Sequence, residues 1–328
     1  MKQLLIAVAA LAAINPAWAD TALHQQAARL FGQIKPVTHV PSPQAELGRE
    51  LFWDPRTSAD GKTACASCHA ARDWGADGRR FSPDARGALT SRHSPTVFNS
   101  MGQPMLRWLG DRKNGVEQAE TSLTGSMGFA SKEAGLARLE ALDYLPKFRA
   151  VFPADAQPLS AVNYGRALAS YQATLATPAA FDRYLAGDEA ALGARQKYGL
   201  RQFISMGCGG CHSGPNFGGT SFQKFGVTKD YWLETKSEKP DVGRFAITKK
   251  EEDRYFFRVA ALRNVARTAP YFHDGSVARL DDAVRIMANL QLGQWLDDAA
   301  VADLVAFLES LTGEVPANYA PPGQHPAP

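Results

Sequence analysis

The sequence predicts an all-α fold, rich in loops and built as two like halves. Three observations carry this. The pentapeptide Cys65-Ala66-Ser67-Cys68-His69 returns as Cys208-Gly209-Gly210-Cys211-His212, the first cysteines 143 residues apart. A helical stretch precedes each copy, and an amphipathic helix closes each half. Between Phe217 and Phe257, where strands would have most room, the pattern offers short strand-like pieces at most.

The elements follow in order. Thr21 to Phe31 reads as a polar helix. Pro36, Pro41 and Pro43 break the next stretch into an extended lead-in. Leu47 to Phe52 restarts a short helix, which Asp54-Pro55 stops. After the first pentapeptide, Trp74 to Arg92 is a Gly/Arg/Asp-rich loop without periodicity. A loop of that length in a compact domain usually serves function. Lys132 to Leu142 reads as a helix. Leu159 to Leu175 is the clearest amphipathic one, with Val162, Leu168, Tyr171 and Leu175 on one face and Tyr164 beside them. Thr177-Pro178 ends it and marks the boundary between the halves. Gly199 to Met206 leads into the second pentapeptide. Asp281 to Leu290 is a helix, and Asp298 to Leu311 is the last, on Leu304, Phe307, Leu308 and Leu311, with Gly313 placed to cap it. The Pro-rich end is expected to be disordered. The division is therefore a leader at 1–19, a first domain at 20–177, a second at 178–315 and a tail at 316–328.

The pentapeptides carry the chemistry. Two thiols two residues apart can anchor one porphyrin edge, and the adjoining histidine reaches the iron. A split zinc site or two disulfides are the alternatives, but zinc does not require the trailing histidine. Two full copies use all four cysteines and leave no remainder. Each half thus reads as a cytochrome c-like domain around its own covalently attached haem.

The N-terminus reads as an export signal. Lys2 is its basic start, and Leu4 to Ile14 is an apolar run short for a bilayer. Ala17-Trp18-Ala19 is a small-x-small cleavage site, which puts the mature start at Asp20. Export through the Sec pathway to the periplasm fits haem attachment there. Hydrophobic residues at 45% and charged residues at 21% make an ordinary globular balance. The formal charge is +3, and losing Lys2 leaves 36 − 1 = 35 basic against 33 acidic residues, or +2. Neither value points to nucleic acid or to a membrane surface.

A haem with two strong protein ligands carries electrons, whereas one with an open face can bind and cleave peroxide. Met287 lies 75 residues after His212 on the helix Asp281 to Leu290. As a thioether opposite His212 it would raise the potential; the alternative is an ordinary core methionine. No such partner is evident for His69: His93 is the only histidine between it and Trp108, and Met101 and Met105 lie in a broken stretch. Peroxide cleavage also needs a group that moves a proton. Gln118 can orient peroxide but cannot take a proton; Glu117, Glu120 and Glu133 are the nearby carboxylates, each otherwise a solvated charge. Trp108 is either a relay between the haems or a packing aromatic.

These residues sit in stretches that together resemble the bacterial dihaem cytochrome c peroxidase/MauG superfamily over nearly the whole mature chain. The stretches are Leu51-Phe52-Trp53-Asp54-Pro55-Arg56, Ser94-Pro95-Thr96-Val97-Phe98-Asn99, Trp108 with Glu117-Gln118-Ala119, Leu262-Arg263-Asn264-Val265, Ala269-Pro270-Tyr271-Phe272-His273-Asp274-Gly275, Asp282 to Met287, and Phe307 to Gly313. The resemblance implies an active site near the interface of the two domains. It puts Met287 at the sixth-ligand position of the second haem, Trp108 at the inter-haem tryptophan and Gln118 at the distal glutamine. It also implies calcium between the domains on backbone carbonyls, here those of Thr268, Pro270 and His93, the last replacing the usual Asn. Two departures stand out. Ala70 to Arg92 holds no histidine, where many members carry a displaceable ligand. Gly128 stands ten residues after Gln118, where the distal glutamate is due. A local shift would bring in Glu120 or Glu133. This mix resembles MauG-related outliers such as BthA and MbnH, the latter oxidising tryptophan on a partner protein.

Three functions compete. The first is a periplasmic peroxidase, with hydrogen peroxide at the His69 haem and electrons from a c-type cytochrome or cupredoxin entering at the His212/Met287 haem. The second oxidises a side chain of a partner protein through a high-valent iron state. The third is a dihaem electron carrier without chemistry of its own. Relatives often dimerise, so a homodimer is expected as an option.

Overall fold

The computed structural model describes residues 16–37 and 42–324. Lys2 and the apolar run of the expected leader lie outside these residues. The described part is helix-rich, with a single pair of three-residue strands.

In the first half, α2 (Pro43–Trp53) crosses α6 (Ala161–Ala173), and α3 (Gly115–Ser122), α4 (Lys132–Ala141) and α5 (Leu145–Val151) complete the layer. Pro43 opens α2 rather than breaking an extended lead-in. Its missing N–H is harmless in a first turn, and the Ser42 hydroxyl accepts from the Ala45 amide at 3.1 Å. Leu47, Leu51 and Phe52 of α2 pack with Tyr164, Leu168 and Tyr171 of α6. Burying a side chain such as Phe52 contributes about 1.5–3 kcal/mol. The crossing needs Gly48, because a Cβ there would meet the Ala167 carbonyl oxygen at 1.9 Å.

The second half repeats the device. α8 (Ala194–Ser205) crosses α12 (Asp298–Glu309) at Gly199, whose Cβ would lie 1.9 Å from the Asp303 carbonyl oxygen. α7 (Ala180–Leu185) and α11 (Leu280–Leu292) pack around this pair, α9 (Tyr231–Thr235) packs on α11, and α10 (Phe245–Thr248) sends Ala246 to the same cluster as α9. Strands β1 (Phe222–Lys224) and β2 (Phe256–Arg258) pair antiparallel, with Gln223 opposite Phe257.

The chain ends cross between the halves, so the two cores depart from a contiguous division. α1 (Pro16–Leu30) and Phe31 join the second core: Leu23, Ala27 and Phe31 pack with Phe181, Phe203, Phe217 and Phe307. Asp20 pairs with Lys197 at 3.3 Å and Arg201 at 2.6 Å. Conversely, Val315 and Tyr319 join the first core. The expectation of a disordered end is thereby corrected over residues 316–324. Tyr319 is fully buried against Phe52, Trp53 and Phe98, and the Arg49 guanidinium donates to three tail carbonyls. Pro326 and Pro328 lie outside the described residues.

Gly313 also has a different task from the expected cap. α12 ends at Ser310 with helical backbone, and Gly313 lies against the backbone of Thr177, 2.4 Å from its carbonyl oxygen if it carried a Cβ. There it seals a buried junction. Asn99 and Asn264, both left-handed, each donate to the Thr177 hydroxyl at 2.6 and 2.9 Å, and Gly313 N–H donates to Asn264 at 3.0 Å. Beside it, Arg263 and Asp182 form a buried bidentate pair at 2.7 and 2.8 Å.

Candidate haem sites and the junction between them

Each pentapeptide folds into the same tight turn. The His69 amide donates to the Cys65 carbonyl at 3.1 Å, and the His212 amide to the Cys208 carbonyl at 2.9 Å. In both, Nδ1–H donates to a backbone carbonyl, Gly75 at 2.8 Å and Phe217 at 3.0 Å. That fixes the tautomer and leaves the Nε2 lone pair for a metal. Burial lowers the pKa of both imidazoles, which keeps them neutral as ligands must be.

All four cysteines are unpaired, which sets aside disulfides. Burial pushes the Cys65 thiol up to about 12 and the Cys208 thiol up to about 11, so neither is a ready thiolate. Among the described residues no group of three or more His, Cys, Asp or Glu is placed to hold a metal ion. The donor set fits covalent haem.

On the side of the first motif, α3 carries Gln118, whose Oε1 is buried without a hydrogen-bond partner. The three carboxylates named from the sequence are not gathered there. Glu117 caps its own helix by accepting from the Lys113 amide at 2.8 Å. Glu120 pairs with Lys132 at 2.8 Å, tying α3 to α4, and two residues from Gln118 it does not share its face. Glu133 lies in the exposed first turn of α4, held low by its own backbone N–H and by Ser131. Gly128 has φ +80° and a Cβ would lie 3.0 Å from that of Ala85. Its turn is pinned on both sides: Ala59 N–H donates to Met127 and Ala85 N–H to Ser126, both at 2.9 Å.

The stretch Trp74 to Arg92 is a chain of tied turns. Asp77 holds Arg79 at 2.8 Å and the Ser82 hydroxyl at 2.6 Å, and Asp84 holds Arg86 at 2.6 Å. Two links fasten it to the second half: Arg92 to Asp241 at 2.6 and 2.8 Å, and Arg80 Nε to the Asp274 carbonyl at 2.8 Å. Asp241 and Asp274 are far from the loop in sequence, so the pattern showed only a loop.

At the junction, Trp108 donates from Nε1 to the His93 carbonyl at 2.8 Å. It packs in one apolar cluster with Met287 on the third turn of α11, together with Leu109, Phe257 and Leu290. The structure thus brings together two residues named separately from the sequence. A third, His273, had no assigned role. It is 2% exposed, stacked on Phe257 at 4.2 Å and edge-on to Trp108 at 6.3 Å, with Nε2 unpartnered and 4.0 Å from Asp241. Burial drives its pKa down to about 4.

The three carbonyls expected at calcium lie near this junction in part: His93 carries the Trp108 hydrogen bond, and its amide donates to the His273 carbonyl at 2.8 Å. The Thr268 and Pro270 carbonyls accept no hydrogen bond among the described residues. Such a cation would rest on carbonyls, which suits calcium. Among the described residues no helix is long and apolar enough to cross a membrane.

Known proteins resemble this chain in sequence and fold. A family profile described as di-haem cytochrome c peroxidase matches residues 42–190. The cytochrome c551 peroxidase of Pseudomonas aeruginosa is 42% identical over 90% of this chain and 88% of its own. The methylamine utilization protein MauG of Methylophilus methylotrophus is 30% identical, covering 95% of this chain and 96% of its own. Among solved structures, a MauG-like protein associated with microbial copper homeostasis superposes with a TM-score of 0.74 at 28% identity, over 89% of this chain and 97% of that one. With two attachment turns of one design and relatives of this similarity along nearly its full length, the chain belongs to the di-haem cytochrome c peroxidase family, peroxide-using oxidoreductases with two c-type haems.

Proposed function

We propose that this enzyme reduces hydrogen peroxide in the periplasm at the haem on Cys65 and Cys68, with electrons from a small c-type cytochrome or cupredoxin entering at the haem on Cys208 and Cys211. The observation that carries this is the inequality of the two halves. Gln118 in the first half presents a buried amide oxygen without a partner, whereas Met287 in the second sits in the Trp108 cluster. When bound, the haem supplies an iron that takes up peroxide and exchanges electrons singly.

The chain's own residues do the rest. His69 and His212 would hold the iron through Nε2, each ring steered by a backbone carbonyl. Met287 completes the second set, and Trp108 couples the halves. Gln118 orients peroxide. Proton movement is the weak step, because Glu120 is paired with Lys132 and does not share the face of Gln118. Loss of a positioned acid–base group lowers rates by about 10²–10⁴-fold. The tied loop has no histidine to displace, so no prior reduction is needed. Calcium on the His93, Thr268 and Pro270 carbonyls would brace the junction.

Mixing the fully ferric protein with peroxide tests this. A rapid Soret change without prior reduction, followed by steady oxidation of a reduced c-type cytochrome, is expected; an unchanged Soret band defeats the reading. The geometry of Gly128 favours a second reading, oxidation of a partner protein's side chain, for which slow donor turnover and a modified partner are the signature.

A further inference from the structure

We infer that Tyr319 is a positioning residue for His69, and that the C-terminal segment from Gly313 to Gln324 is a strap built to hold the histidine of the first haem. The inference rests on the reading of His69 as the ligand at the peroxide-reactive haem. It goes beyond that reading in assigning a role to a segment more than 240 residues away in sequence.

The Tyr319 hydroxyl donates to the carbonyl of His69 itself. Just past the first motif, on Trp74, the strap makes a second contact: Trp74 Nε1 donates to the Gly313 carbonyl at 2.9 Å. Trp74 adjoins Gly75, whose carbonyl holds the His69 ring at 2.8 Å. The strap therefore secures both the peptide of His69 and the neighbour of the group that orients its imidazole. It is anchored at three further points. Arg49 donates to the carbonyls of Ala320 at 2.7 Å, Pro321 at 3.1 Å and Gln324 at 3.2 Å. Asn318 donates to the Thr174 hydroxyl at 2.7 Å, and its carbonyl accepts from Tyr171 at 3.1 Å. The Tyr319 ring is fully buried beside Phe52, Trp53 and Phe98.

The second motif lacks this device. Its ring anchor, the Phe217 carbonyl, has the same form, but among the described residues no side chain donates to the His212 carbonyl. A buried hydroxyl that meets only one of two equivalent sites has a local task. Groups behind a metal-bound histidine govern its orientation and its basicity. A haem that turns over peroxide gains from a fixed axial ligand, whereas one that carries electrons between two fixed ligands has less need of it.

The test compares wild-type holoprotein with Tyr319→Phe and Arg49→Ala by EPR of the resting ferric state and by the rate of reaction with peroxide. Phenylalanine keeps the ring and the packing, so a purely structural role leaves both readouts at wild-type values. The expected result is a shift in the g-values of the first haem alone, with the peroxide reaction slowed about tenfold. Arg49→Ala, which frees the strap without touching the ring, shifts the same signal in the same direction by less. Wild-type g-values in Tyr319→Phe, or equal shifts at both haems, overturn the inference. Should wild-type protein not react with peroxide at all, the functional reading fails, while the EPR comparison still decides what Tyr319 does.

Discussion

His273 makes the stability of the junction depend on pH in a way that can be computed. Its pKa falls from the ordinary 6.5 to about 4 because the ring is buried among Phe257, Tyr231 and Phe225. Between those two values the unfolded chain binds a proton that the folded chain refuses. Stability is then fully present above pH 6.5 and is lost as pH falls towards 4. The whole difference is about 3 kcal/mol, of which about 2 kcal/mol is lost between pH 7 and pH 5. The perturbation is His273→Phe, which keeps the stack on Phe257 and removes the titration. Guanidinium unfolding of both holoproteins at pH 7 and pH 5 is the assay. His93 is also held low by burial, so some slope persists in the variant. The loss on going to pH 5 should be smaller in the variant by about 2 kcal/mol. An equal loss in both proteins refutes the reasoning. It would mean that the folded protein accommodates a charged His273, paired with Asp241.

Two further outcomes follow from the geometry. Asp182→Ala strands the Arg263 guanidinium, 1% exposed, and frees the Ile34 and Ala179 amides that Asp182 also accepts from, so unfolding should become easier by about 3–5 kcal/mol in a denaturant titration. Gly128→Glu does not restore an acid–base group: at φ +80° against Ala85 it should lower stability by about 1–2 kcal/mol and leave the peroxide rate no higher, and a tenfold gain would show the turn to be adaptable.

Much of this was legible in the residues. Leu159 to Leu175, Asp281 to Leu290 and Asp298 to Leu311 became α6, α11 and α12 within about two residues at each end, the usual looseness of helix boundaries. Local periodicity is enough for such helices. What sequence did not reveal depends on distant partners. Pro43 reads as a breaker unless Ser42 is seen to cap it. Leu23, Ala27 and Phe31 form a stripe, but nothing local says that it packs against Phe307 in the other half. Tyr319 is one aromatic in a Pro-rich end, and its burial depends on distant partners: Phe52, Trp53 and Phe98 around its ring, the His69 carbonyl at its hydroxyl, and Arg49 holding the segment. Gly313 looked like a cap because glycine after a helix usually is one; its real constraint is the Thr177 backbone.

The site divides in the same way. The attachment residues Cys65, Cys68, His69, Cys208, Cys211 and His212 stand within two pentapeptides and need no fold to be read. Met287 and Trp108 were singled out separately, and the fold puts them in one cluster. The carboxylates near Gln118 looked alike in sequence and differ in their partners: the Lys113 amide for Glu117, the Lys132 ammonium for Glu120, and Ser131 with the local backbone for Glu133. The fastening of the loop to the second half and the setting of His273 left no local signal, because both depend on Asp241 on a distant segment.

The two haems are proposed to be unequal. EPR of the resting, fully ferric protein tests it most directly, since both coordination states appear in one spectrum. One low-spin signal from the His212/Met287 haem is expected, with one high-spin signal from a His69 haem whose other face carries water or nothing. Two low-spin, six-coordinate signals would contradict it and leave an electron carrier.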